Sequence, residues 1–65
     1  MHTGTVLFFD PYKGFGKIID HDTKHEIFVH INGLIEQVYK DNKVSFNLEI
    51  VDGKEQAVNV VLQNN

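Results

Sequence analysis

The sequence has no cysteine and no arginine, and it contains a single proline among its 65 residues. Without cysteine there is no disulfide framework and no thiolate metal site, so an apolar core alone must hold the fold. A chain of this length buries only about 60% of its unfolded surface. We therefore expect one small domain over residues 1–65.

Positive charge is also scarce, since six lysines stand against nine acidic residues and the net charge is −3. Proteins that bind duplex DNA through its phosphates usually carry a basic patch or stripe. The composition therefore argues against simple duplex binding, and any polyanion would have to bind on a local face.

Long apolar segments are missing as well. The longest run is Val6–Phe9, whereas a membrane-spanning helix needs about 20 apolar residues. Residues 1–4 carry no basic segment and no apolar segment, so we expect no secretory signal, no membrane association and a cytoplasmic location. Hydrophobic residues at 42% and charged residues at 23% indicate a globular chain.

What the sequence does contain is apolar alternation with a period of two residues, which predicts short β-strands. Asp10–Gly14 and Asp52-Gly53 are typical of turns between strands. Leu34, Ile35 and Val38 suggest one helical turn in the long connection 32–43, and residues 63–65 are expected to fray. The predicted strands are 3–9, 15–20, 25–31, 43–51 and 55–62.

Five short strands predict an all-β protein, a closed five-stranded antiparallel barrel in which closure removes exposed edges. An SH3-like barrel is the alternative, because strand count does not separate the two. The side chains expected to share an inner face within their strands are Ile18; Ile27, Val29 and Ile31; Val44, Phe46, Leu48 and Ile50; and Val58, Val60 and Leu62.

The same alternation places Phe15 and Phe28 on the outer face, together with Lys17 and His30. Large aromatic side chains on a solvated face call for an explanation. Unpaired bases stack on such rings while lysines meet the phosphates, so the pattern favours single-stranded nucleic acid as the partner.

Two segments resemble the ribonucleoprotein motifs of the bacterial cold-shock domain family. The first is Lys13-Gly14-Phe15-Gly16-Lys17-Ile18, against the usual Lys-Gly-Phe-Gly-Phe-Ile. The second is Ile27-Phe28-Val29-His30-Ile31, against Val-Phe-Val-His-Phe. Residues 4–9 and 56–60 resemble the family's first and last strands, in the same order.

This resemblance implies a barrel of the oligonucleotide-binding (OB) type that binds single-stranded RNA or DNA as an RNA chaperone or cold-shock regulator. It implies no catalytic residue, no cofactor and no metal. It places Val6 inside and Phe8 outside, which requires a bulge near Leu7. The binding residues it implies are Phe8, Lys13, Phe15, Phe28 and His30, and we add Lys17 as a cation on the same face.

The chain also departs from the family pattern. Leu7 replaces a lysine, Asp10 an asparagine, and Lys17 and Ile31 replace aromatic residues, while the connection after His30 is shorter. Glu26 matches an acidic position of the family, where it would accept a hydrogen bond from a base. We expect binding weaker than that of members with the full aromatic set.

Two other functions compete with nucleic-acid binding. A protein-interaction barrel is favoured by Leu7, Phe8, Ile31 and the acidic balance, whereas an enzyme is disfavoured because no nucleophile and base stand together. The acids and histidines of 20–26 are expected to form a solvated turn, since the spacing of His21 and His25 suits a metal on a helix rather than a hairpin. We expect a monomer, with a weak dimer as the alternative.

Overall fold

The computed structural model describes residues 1–63, so the predicted fraying of residues 64 and 65 lies outside the described residues. Every predicted run of alternation forms a strand. The described elements are β1 (His2–Asp10), β2 (Phe15–Asp20), β3 (Glu26–His30), a 3₁₀ turn (Ile31–Gly33), β4 (Lys43–Val51) and β5 (Lys54–Leu62).

The strands close into a barrel in the order β1-β2-β3-β5-β4. Four of the pairings are antiparallel, while β3 and β5 run parallel. The predicted fold class, an all-β closed five-stranded barrel of the OB type, is confirmed. The parallel pair is the one departure from a purely antiparallel barrel among these strands, and it brings Gln56 and Ala57 of β5 beside β3.

A small apolar core fills the barrel. The predicted inward positions of β2 and β3 are confirmed, because Ile18 and Val29 are fully buried and Ile27 is 3% exposed. The buried apolar residues are Val6, Ile18, Ile27, Val29, Val38, Val44, Phe46, Ala57 and Val60.

A bulge in β1 confirms the expectation for Leu7. The register of β1 against β2 shifts between Val6 and Phe8, so Val6 is fully buried and Phe8 is 41% exposed. Gly16 lies against this segment, and a side chain there would collide with the Phe8 carbonyl oxygen. The close approach of the two strands therefore requires glycine at position 16.

A second bulge makes the inner-face prediction wrong for Val58, whereas Val60 is buried as predicted. Asn59 has φ 54°, and the β4–β5 register shifts beside it. The extra residue changes the phase of the strand, so Ala57 and Val60 are buried while Val58 is only half-buried.

Two isoleucines also leave their predicted inner faces. Ile50 is 65% exposed, because β4 continues beyond the core into the hairpin with β5, and Ile31 is 44% exposed at the start of the 3₁₀ turn. At the tip of that hairpin, Asp52 and Gly53 have φ 52° and 78°. Two positive φ values in succession are typical of the tight turn predicted there.

The helical turn lies earlier than predicted. It spans Ile31–Gly33, and the His30 side chain caps it by accepting a hydrogen bond from the Asn32 N–H. The apolar residues that suggested a helix contact the barrel instead: Leu34 forms a β-bridge with Val60, and Val38 is buried in the core.

Candidate nucleic-acid interface

The outer surface of β1, β2 and β3 gathers most of the predicted site residues. Lys17 is the register partner of Phe8 on one side and of Phe28 on the other. Phe15 is paired with His30 in the neighbouring row. We call this surface the aromatic face; it consists of Phe8, Phe15, Lys17, Phe28 and His30.

The three phenylalanine rings form a cluster in which Phe15 packs against both of the others. Phe15 and Phe28 are stacked, with ring centroids 5.8 Å apart and planes at 21°. Phe8 meets Phe15 edge to face at 6.3 Å. Their mutual packing leaves Phe15 and Phe28 half-buried rather than fully exposed, so the rings are held in place before any ligand arrives.

Lys17 stands in the middle of this surface and is paired with an acid. Its Nζ lies 3.3 Å from Glu26 Oε1, and the two side chains are 45% and 56% exposed. Glu26 follows the same face of β3 as Phe28. The position at which the family usually has a second aromatic ring therefore carries an ion pair here.

The His30 ring has one nitrogen engaged and one that is open to a ligand. Nδ1 accepts the hydrogen bond from the Asn32 N–H at 3.1 Å, which in the neutral ring leaves the proton on Nε2. His30 is exposed, so its Nε2–H is available as a donor at the rim of the aromatic face.

Lys13 lies apart from the strands, in the exposed turn between β1 and β2. Asp10 organises that turn, since its Oδ1 accepts hydrogen bonds from the N–H groups of Tyr12 and Lys13 at 2.9 and 3.2 Å. The carboxylate that replaces the family's asparagine thus fixes the backbone from which Lys13 projects.

Sequence reasoning missed Gln56 as a neighbour of this surface. The parallel pairing of β3 with β5 makes Gln56 the register partner of Phe28. A groove of about 450 Å³ opens there, lined by Phe28 and, from the β4–β5 hairpin, by Val51, Asp52, Lys54, Glu55 and Gln56. Local strand spacing carries no signal for this contact, because the pairing joins strands that are far apart in the chain.

The polar segment 20–26 is exposed from Asp22 to Glu26, as predicted, but Asp20 is not. Asp20 is only 1% exposed and accepts hydrogen bonds from His2 Nδ1 and from the Asp22 and Thr23 N–H groups. Burial raises the pKa of Asp20, but these hydrogen bonds outweigh it and hold the pKa below its ordinary value of 3.8. Within residues 1–63, no three His, Asp or Glu side chains are placed to hold a metal ion.

Comparison with known proteins agrees with this geometry. The family described as the 'Cold-shock' DNA-binding domain matches residues 2–63. Cold shock protein CspA of Staphylococcus saprophyticus is 37% identical over 65 residues, covering 94% of this chain and 97% of that protein. Cold shock-like protein CspJ of Salmonella typhimurium is 35% identical over 63 residues, covering 91% and 90%.

Cold shock protein 1 of Arabidopsis thaliana is 36% identical over 63 residues, which cover 89% of this chain but 21% of that longer protein. No helix within residues 1–63 is long and apolar enough to cross a membrane. The match runs through all five strands, and the chain therefore belongs to the cold-shock domain family, a family of nucleic-acid-binding proteins.

Proposed function

We propose that this protein binds single-stranded RNA or DNA on its aromatic face and acts in the cytoplasm as an RNA chaperone or cold-shock regulator. The observation that carries the proposal is the contiguous cluster of Phe8, Phe15 and Phe28. A base stacked on an aromatic ring contributes about 1–3 kcal/mol. The roles of Lys13, Lys17 and His30 are to meet phosphates and base edges around the rings.

The cluster favours unpaired bases. Bases in a duplex already stack on one another, so only a single strand can stack its bases on the rings of Phe15 and Phe28. Stacking does not sense the sugar 2′-hydroxyl, so RNA and DNA are expected to bind alike where stacking dominates.

The affinity is expected to be roughly micromolar, because three rings support stacking while cations are few. Lys17 is also shared with Glu26. Weak binding that tolerates many sequences suits a chaperone, which must trap unpaired RNA and then release it.

An amide NMR titration of labelled protein with a seven-nucleotide oligo-dT tests the proposal at low salt, with a matched duplex as the control. Shifts at residue 8 and in segments 13–17 and 27–31, with the single strand alone, are expected. The absence of shifts with sub-millimolar oligo-dT would reject the proposal, as would equal shifts with the duplex.

A protein-interaction module is the second candidate. The chain has a groove of about 290 Å³, lined by Phe9, Pro11, Ile31, Leu34 and Gln37. Ile31 in this lining is 44% exposed, and exposed apolar surfaces of this kind are often covered by partners. Sedimentation distinguishes the two functions: self-association that oligonucleotide leaves unchanged favours this module, whereas a monomer that binds oligonucleotide favours the first function.

A further inference from the structure

An ion pair is built into the centre of the aromatic face. Lys17 has Phe8 and Phe28 as its register partners on the two neighbouring strands. Its Nζ reaches Glu26 Oε1 at 3.3 Å. An ammonium donor and a carboxylate acceptor therefore stand side by side next to the Phe28 ring.

Stability does not account for this arrangement. Both members of the pair are about half exposed, at 45% and 56%, and exposed ion pairs contribute little to folding. The Glu26 carboxylate makes no other hydrogen bond within residues 1–63, so its second oxygen is open to a ligand. The pair is thus easily shared with a base that stacks beside it.

We propose that Lys17 and Glu26 together recognise the Watson–Crick edge of a guanine, an inference that rests on the proposed single-strand binding. The Glu26 carboxylate accepts from the guanine N1–H and N2–H, and the Lys17 ammonium donates to O6. Guanine is selected because it alone presents two neighbouring N–H groups that match the two oxygens of one carboxylate.

The other bases match the hydrogen-bonding groups of Lys17 and Glu26 less well. Adenine and cytosine each present one amino group on that edge, and thymine and uracil present one ring N–H between two carbonyl oxygens. Each can engage one oxygen of Glu26 but leaves the other without a partner. The ion pair therefore adds base selectivity to a surface whose stacking alone is tolerant of sequence.

Fluorescence titrations test the inference with four seven-nucleotide strands: oligo-dT, and the same strand with its central thymidine replaced by deoxyguanosine, deoxyinosine or deoxyadenosine. We expect the deoxyguanosine strand to bind about tenfold more tightly than oligo-dT. Deoxyinosine lacks the 2-amino group and should lose most of that advantage, and deoxyadenosine should show little.

Variants assign the preference to the pair. Glu26→Gln should bring the guanine-to-thymine affinity ratio close to one while oligo-dT still binds, and Lys17→Met should lower the same ratio. Asp41→Asn is the charge-matched control; it lies in the loop before β4, and asparagine tolerates its φ of 71°. This control should keep the full ratio.

The possible failures are distinct. If oligo-dT and the deoxyguanosine strand bind equally well to the wild-type protein, the guanine inference is overturned and single-strand binding stands. A ratio unchanged in both Glu26→Gln and Lys17→Met also overturns it. If no strand binds, the proposed function and this inference are both rejected.

Discussion

Two regions of this barrel reverse the usual placement of side chains, in opposite directions. The turn after β2 buries a carboxylate, Asp20, which is 1% exposed. The aromatic face leaves three phenylalanine rings partly in solvent on the outer side of β1–β3. Both regions involve β2, yet they lie toward different ends of that strand.

The difference lies in whether each group is satisfied within the chain. Asp20 accepts three hydrogen bonds, one of them from His2, whose ring also stacks on Phe46 at 5.6 Å. A buried charge with all its partners present stabilises one folded arrangement and has nothing left for a ligand. The rings of the aromatic face pack against one another, and the rest of their surface is available to a partner.

The largest effect is expected from Asp20→Ala. The N–H groups of Asp22 and Thr23 would lose their acceptor inside the turn, and His2 would lose its anchor. Leaving a buried hydrogen-bonding group without its partner costs about 1–3 kcal/mol of unfolding free energy, which urea denaturation measures. Asp22→Ala, an exposed neighbour, should change it by less than about 0.5 kcal/mol; equal losses in both variants would contradict a special role for Asp20.

Phe28→Ala tests the other region. Removing the ring that stacks on Phe15 should weaken binding of oligo-dT roughly five- to 150-fold, because a stacked base contributes about 1–3 kcal/mol. The variant should remain folded, since Phe28 is only half-buried. Isothermal titration gives the Kd and amide NMR spectra report on the fold.

Tyr39→Ala is the matched control for that variant. Tyr39 is 63% exposed but lies in the loop before β4 and is not part of the aromatic face. Its removal should leave the Kd for oligo-dT unchanged. An unchanged Kd in Phe28→Ala would reject stacking as the basis of binding.

Much of the fold was predictable because period-two alternation is a local signal, and β2 and β4 have the bounds predicted from the apolar pattern. The Leu7 bulge was predicted from the family resemblance instead, because strict alternation would place Val6 and Phe8 on the same face. The Asn59 bulge was not predictable in this way, because an extra residue in a strand changes its phase without changing its composition. The long connection misled for a related reason: Leu34 and Val38 are apolar because they contact the barrel, not because they form a helix.

The candidate site likewise contains residues that local spacing predicts and residues that only long-range pairing brings together. Phe15, Lys17 and Phe28 share a face by alternation within single strands, so their grouping was visible in the sequence. Gln56 joins them only through the parallel pairing of β3 with β5, which depends on barrel closure. The burial of Asp20 was likewise hidden, since its partner His2 is distant in sequence and a row of acids and histidines is usually solvated.

Acid should lower the free energy of unfolding through the Asp20 turn, whereas the phenylalanine rings of the aromatic face carry no group that titrates. The pKa of Asp20 is lower in the folded chain than its ordinary value of 3.8. Its ionised form therefore stabilises the fold fully above about pH 4, and this contribution is lost as the pH falls below 3.8 through the folded pKa. Urea denaturation between pH 6 and pH 2 should show a steeper loss in the wild-type protein than in Asp20→Asn; parallel curves would contradict this assignment.

The smallest effect concerns salt, and it asks how far the aromatic face depends on charge. Two or three lysine–phosphate contacts predict a slope of about −1.4 to −2.1 for the logarithm of affinity against the logarithm of salt concentration, at about −0.7 per contact on single strands. Three lysines are candidates for these contacts. Lys17 lies on the face and is paired with Glu26, Lys13 is exposed in the turn before Phe15, and Lys54 lines the groove beside Phe28. Titrations with oligo-dT over a tenfold range of sodium chloride measure this slope. A much steeper slope would mean that phosphate contacts, and not the three rings, supply most of the binding free energy. The contrast between the hydrogen-bonded carboxylate of Asp20 and the exposed rings of the aromatic face would then no longer explain where the ligand binds.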